Sequence, residues 1–152
     1  MESRMTHPVY VVPAALQALL AYSAAADDLG LTRELRELVN LRASQINGCS
    51  VCVQMHAAGL RKEGCSDERI DTVAAWRDAP YFTDAERVAL ELAEELTRVA
   101  DRGDPVSDEL WAALEVHYDE RAISGLMIAI TGVNVWNRLN AATRQPAGAY
   151  SA

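Results

Sequence analysis

A chain of 152 residues, half of them hydrophobic, is long enough to bury one core and too short for several. Fourteen basic against 22 acidic side chains leave a net charge of −8. With no basic stripe or polybasic run, the usual footprints of nucleic-acid and anionic-membrane binders are excluded. What remains is a single soluble domain, residues 1–152, with small-molecule or protein partners.

In chain order the pattern is helical almost throughout. Arg4 precedes an apolar stretch ending at Ser23–Ala26 that loosely resembles a signal peptide. Glu2 cancels the basic start, however, and Pro13 and Gln17 interrupt the apolar part, so a cytoplasmic protein is expected. The run Val9–Val12 reads as a short extended arm, and one such run cannot build a sheet. Pro13 to Gly30 reads as a helix with proline in its first turn and glycine at its stop. Thr32 caps a second helix over 33–47, in which Leu35, Leu38, Val39, Arg42 and Ile46 recur near helical spacing.

Gly48 breaks that helix, and a third runs from about Cys49 to Glu63, ending at Gly64. Ser66 caps a short helix through Trp76, followed by a turn at Ala79-Pro80. Thr83–Glu86 is a capping box, with Val88, Leu92, Leu96 and Val99 as the apolar stripe behind it. Pro105 and Ser107 open a helix through about Tyr118. The last helix, 120–142, is apolar on nearly every side in its middle, which predicts burial all round, by this chain or by another subunit. Its apolar run, Ala122 to Trp136, is too short to cross a bilayer. The predicted fold is a single all-α domain.

The chemistry is concentrated in NGCSVCVQMHAAG, Asn47 to Gly59. Three cysteines are an odd number and a poor start for a secreted disulfide framework, so a CxxC pair reads as redox or metal chemistry. On a helix, Cys49, Cys52 and His56 share one face over two turns. Cys49 stands near the helix start, where exposed backbone N–H groups favour a thiolate. His56 is within reach to take a proton from Cys52 or stabilise its thiolate. Glu37 lies eleven residues before Gly48 and His56 eight after it. If the chain reverses there, the two sit ~16 Å and ~12 Å from the turn, at similar depth in an antiparallel helix pair. Glu37 then orients the imidazole or accepts its proton, with Asn40 and Ser44 as polar neighbours of no assigned role.

The bland alternative is a pair of small core residues, since free cysteine is among the most buried residue types. The sharper rival is zinc held by Cys49, Cys52 and His56, with Cys65 or Glu37 as fourth ligand. Structural zinc pairs sit on turns outside helices, and the sequence has no second CxxC and no HxxxH. Metal ligation is therefore not assigned. Cys65 reads as a spare small residue, and His7 and His117 receive no function.

The twenty residues ELVNLRASQINGCSVCVQMH, Glu37 to His56, resemble the alkylhydroperoxidase AhpD-like branch of the carboxymuconolactone decarboxylase superfamily. That branch carries a glutamate twelve positions before the first cysteine and a histidine four after the second, a spacing that Glu37, Cys49, Cys52 and His56 match one by one. WNRLNAA, Trp136 to Ala142, is similar to the end of many members. The resemblance implies an AhpD-like helical domain, with CxxC at the start of a core helix, assembled as trimers or hexamers. It implies a thiol-dependent peroxidase or disulfide-cycling oxidoreductase without metal or organic cofactor. Cys52 would attack a hydroperoxide and become a sulfenic acid, and Cys49 would resolve it as a disulfide. His56 and Glu37 would move the protons, and an external thiol or dithiol would reduce the product. The best-studied peroxidase members have a histidine where this chain has Val51, which points to slower turnover or a different reductant. Two other readings stay open. One is a redox-responsive or ligand-binding oligomer with little turnover; the more distant one is a decarboxylase of small cyclic acids.

Overall fold

From its third helix onward, every helix of this chain starts at a side chain that accepts a hydrogen bond from the first turn. The computed structural model describes residues 2–100 and 102–148. In order, the helices are α1 (Pro8–Val11), α2 (Pro13–Ala24), α3 (Arg33–Ile46), α4 (Ser50–Lys62), α5 (Asp67–Asp71), α6 (Asp84–Thr97), α7 (Asp108–His117) and α8 (Glu120–Thr143), with a 3-10 turn, Val73–Ala75, after α5. The caps are Thr32, Cys49, Ser66, Thr83, Ser107 and Asp119. Each satisfies an N–H that the helix cannot. Thr83 and Glu86 complete the predicted capping box, with Thr83 N–H donating to Glu86 Oε2 at 2.8 Å. The described residues contain no strand, so the all-α expectation holds.

α3 is the centre of the packing. It lies against α4, α6 and α8, and its Leu35, Leu38, Val39 and Leu41 are buried on several sides. Leu60 from α4, Leu90 and Leu92 from α6, Leu114 from α7, and Leu126 and Ile130 from α8 complete the core. Burying a side chain of this size stabilises a fold by roughly 1.5–3 kcal/mol. Glu94 is the charged exception inside it. Its carboxylate accepts from Arg42 at 2.8 Å, Trp76 Nε1 at 2.8 Å, Arg77 at 2.9 Å and Arg98 at 3.0 Å. Burial opposes its charge, but these donors win and hold its carboxyl at about 2.

Several local expectations are corrected. Val9–Val12 is no extended arm: Pro8–Val11 forms one helical turn, capped by His7 Nδ1 accepting from Val9 N–H at 3.2 Å. α2 stops at Ala24 rather than Gly30, and the turns that follow it take left-handed backbone at Asp28 and Gly30. The 66–76 segment breaks after Asp71, where the Thr72 hydroxyl bonds back to the Glu68 carbonyl at 2.7 Å. Val99 falls beyond α6 and is exposed. α8 is buried by α2, α3, α4 and α6 over most of its surface, yet Ser124, Thr131 and Val135 stay exposed. No helix of the described residues is long and apolar enough to cross a membrane.

Candidate active site

The α3–α4 hairpin turns at Gly48, whose φ of +65° is left-handed and open to glycine at no steric cost. Cys49 N–H donates to the Ser44 carbonyl at 3.0 Å, which fixes the register of the turn. The hairpin then brings Glu37 Oε2 to 2.7 Å from His56 Nδ1, as the equal-depth argument predicts. Gly59, one turn beyond His56 and one position short of the buried Leu60, makes room for that pair. A Cβ there would lie 2.7 Å from Glu37 Cδ and 2.8 Å from its Oε2. Sequence reasoning missed Gly59; a glycine inside an otherwise good helix was the available signal.

Both thiols are reduced, and they are 3% and 1% exposed for Cys49 and Cys52. Cys49 is itself the N-cap of α4, its sulfur accepting from Cys52 N–H at 3.4 Å. A hydrogen bond from the Cys52 side chain, together with that N–H, outweighs burial and lowers the Cys49 thiol to about 7. Cys52 moves the other way, its thiol raised by the bond to Cys49 and then by burial. The helix start thus acts on the first cysteine, as the sequence suggests.

A third polar stripe comes from α8, where Asn134, Asn137 and Asn140 recur every three residues on the buried side. Asn140 Nδ2 donates to Cys52 Sγ at 3.3 Å. Asn137 donates to Ser44 Oγ at 3.1 Å, and Asn134 to Thr97 Oγ1 at 3.1 Å. Asn47 Nδ2 reaches the oxygens of both Asn134 and Asn137 at 2.9 Å. These asparagines tie the turn before the dithiol to α8. Their spacing was visible in the sequence, but nothing in it said that the stripe faces two sulfurs.

Glu37, Cys52 and His56 line one cavity of about 870 Å³, while Cys49 does not. Val51, Met55, Val133 and Trp136 form part of its apolar wall, and Asn40 and Asn140 are polar points within it. His7, assigned nothing from sequence, lines it from α1's cap and stacks near Trp136 with ring centroids 5.9 Å apart. His117 sits in the last turn of α7, away from this cavity. Of the four predicted site residues, Glu37, Cys52 and His56 therefore share one cavity, and Cys49 is hydrogen-bonded to Cys52 outside its lining. Cys65 does not join them. It donates to Glu34 Oε1 at 3.2 Å, and burial and that carboxylate push its thiol up to about 11. Among the described residues, no three His, Cys, Asp or Glu side chains are grouped to hold a metal ion.

This architecture has relatives. YdfG of Bacillus subtilis, an uncharacterised protein, is 33% identical over 132 residues, covering 87% of this chain and 88% of its own length. Atu0492 of Agrobacterium tumefaciens, a protein of unknown function grouped with the antioxidant-defence protein AhpD, superposes with a TM-score of 0.88 at 31% identity, covering 96% of this chain and 98% of its own. An uncharacterised peroxidase-related protein with an alkylhydroperoxidase AhpD core, from Ralstonia eutropha, shares the fold at a TM-score of 0.80 and 23% identity, covering 93% of this chain and 74% of its own. Residues 13–95, from α2 through the dithiol hairpin into α6, match the Carboxymuconolactone decarboxylase family. On that match, the relatives and the AhpD-like fold, the chain belongs to the carboxymuconolactone decarboxylase family.

Proposed function

We propose that this protein is a dithiol peroxidase acting on organic hydroperoxides. The observation that carries the reading is the Glu37–His56 pair at 2.7 Å on the same cavity wall as Cys52, with the acidic Cys49 directly behind it. Cys52 is the thiol that meets the cavity, so it is the attacking group. Its proton passes to His56, whose Nδ1 is held by Glu37, leaving Nε2 for the transfer. The sulfur bonds to the distal peroxide oxygen, the O–O bond breaks, and the departing alkoxide takes the proton from His56 to leave as alcohol. Cys49 thiolate then attacks the Cys52 sulfenic sulfur and expels hydroxide, which is protonated to water. An external thiol or dithiol restores the pair by exchange. The hydrocarbon wall from Val51 to Trp136 supports an organic rather than an inorganic peroxide.

The apolar surface of α1 and α2 supports a homo-oligomer, trimer or hexamer. No residue of α2 is buried in the single chain, and Tyr10, Val11, Val12 and Leu20 are all more than half exposed. A reducing compartment such as the cytoplasm would keep the pair charged with electrons.

The test is one equivalent of cumene hydroperoxide added to fully reduced protein, followed by peptide mass mapping. Rapid formation of a Cys49–Cys52 disulfide, with alcohol released in step, is the expected result. Thiols that stay free and alkylatable would end the peroxidase reading. The burial of both sulfurs favours one second reading, a redox-responsive oligomer with little turnover. It predicts a single oxidation without sustained peroxide consumption when dithiothreitol is supplied.

A further inference from the structure

We infer that Asn140 is the residue that lets Cys52 carry the reacting thiolate, by donating a hydrogen bond to its sulfur from α8. Asn140 Nδ2 lies 3.3 Å from Cys52 Sγ, and the two residues come from different helices, α8 and α4. A hydrogen bond to a charged atom is about twice as strong as one to a neutral atom, so this donor gains strength when the thiol loses its proton.

The other asparagines of the same stripe supply an internal comparison. Asn134 and Asn137 donate to the hydroxyls of Thr97 and Ser44, and both of their oxygens accept from Asn47 at 2.9 Å. Those two are satisfied at both ends of the carboxamide, as buried amides that hold a fold together usually are. Asn140 is also buried, but its Oδ1 is shut off from solvent and accepts no hydrogen bond among the described residues. Leaving such an oxygen unpaired costs stability, and an apolar side chain of the same shape would not incur that loss. Asn140 is therefore a poor choice for the fold alone, and the hydrogen bond that its carboxamide does make ends on a sulfur.

The need for this donor follows from where the charge rests. Cys49 has the start of α4, where its sulfur accepts from Cys52 N–H at 3.4 Å and its thiol is lowered. The Cys52 thiol is pushed up by its bond to Cys49, by burial and by the Cys49 charge, and the Asn137 and Asn140 side chains act the other way. Asn137 Nδ2 is donated to Ser44 Oγ at 3.1 Å, which leaves Asn140 as the one that bonds the sulfur. The inference deepens the peroxidase reading and rests on it for its use. Cys52 lines the cavity and Cys49 does not, so the charge has to form on the less acidic sulfur before an O–O bond is attacked. As the Cys52 proton passes to His56, the Asn140 N–H holds the charge left on sulfur.

Asn140→Leu removes the donor and keeps the shape. Its Tm is expected to stay or rise, since the unpaired oxygen is removed too. In a Cys49→Ala background at mildly alkaline pH, it is expected to slow iodoacetamide alkylation of Cys52, followed by peptide mass mapping, by about tenfold or more. With both cysteines present, its dithiol–disulfide equilibrium with dithiothreitol is expected to shift about threefold or more toward disulfide. Asn140→Ala is the second variant if leucine prevents folding, and the same changes are expected. An unchanged equilibrium, an unchanged alkylation rate, or a Cys52 that resists alkylation with Asn140 in place would each overturn the inference. Failure of both variants to fold, or a lowered Tm with neither change, would assign Asn140 to the fold instead. If both changes appear while cumene hydroperoxide leaves the wild-type thiols free, the role of Asn140 stands and the peroxidase reading falls. If wild-type protein forms the disulfide with peroxide and Asn140→Leu forms it at the same rate, the reverse holds.

Discussion

Glu37 and His56 meet at 2.7 Å across the α3–α4 hairpin because the helix opposite Glu37 has no side chain at Gly59. The contact puts a carboxylate on His56 Nδ1 and so leaves Nε2 as the ring nitrogen for any other partner. It also gives Gly59 a steric reason to be glycine where alanine would improve the helix by about 1 kcal/mol.

Gly59→Ala therefore separates stability from activity. The added Cβ would lie 2.7 Å from Glu37 Cδ, and the flexible carboxylate end, rather than the backbone, has to give way. Thermal unfolding is expected to show an unchanged or raised Tm. Stopped-flow measurement of hydroperoxide-driven disulfide formation is expected to show a rate lower by about tenfold or more, as for loss of an oriented proton acceptor. An unaltered rate would mean that the Glu37–His56 contact is structural.

The two thiols should titrate far apart. Absorbance of the reduced protein at 240 nm is expected to show one thiolate appearing near pH 7, well below the ordinary 9.0 for cysteine. That step should vanish in Cys49→Ser. In Cys52→Ala it should move up toward the ordinary range, because the hydrogen bond from the Cys52 thiol is the largest cause of the lowering. A step near pH 7 that survives Cys49→Ser would assign the acidic thiol to Cys52 instead.

The sequence made the hairpin and its four chemical residues legible for a specific reason. Helical periodicity fixes which residues share a face, and a glycine at the turn makes depth on the two helices a matter of counting. Glu37 and His56 could be paired by that count alone. The asparagine stripe could not, because Asn140 comes to Cys52 from 88 residues away and periodicity says nothing about which helix a face will meet. The same limit hid Glu94. Read locally, it is one more acid in the run Glu91–Glu95, and only the packing of α3 and the segment before α6 turns Arg42, Trp76 and Arg77 onto it. The arm at Val9–Val12 went wrong where four apolar residues fit either a strand or one helical turn, and the His7 cap decided it.

The apolar face of α1 and α2 has a direct test in solution. Val11 is 58% exposed and lies outside the cavity lining, so Val11→Glu adds charge to the face without touching the site. If that face joins subunits, light scattering is expected to report a smaller assembly for the variant, with its helical circular dichroism unchanged. An assembly of the same mass would place the contact elsewhere.

Glu94 ties stability to pH, and the sign follows from its environment. Its carboxyl is held at about 2 in the folded chain against an ordinary 4.5. The folded state therefore keeps the charge over a range in which the unfolded chain is protonated. The stabilisation is fully present above pH 4.5 and is lost as pH falls through that window toward 2. Glu94→Gln leaves Arg42, Arg77 and Arg98 facing a neutral amide, and removing one partner of a buried ionic cluster costs about 3 kcal/mol. Urea unfolding at neutral pH is expected to show that loss. Repeated at decreasing pH, it is expected to show a shallower fall for the variant than for wild type, since the titrating group is gone. Parallel pH profiles for the two proteins would mean that other carboxylates govern acid unfolding and that Glu94 contributes through packing alone.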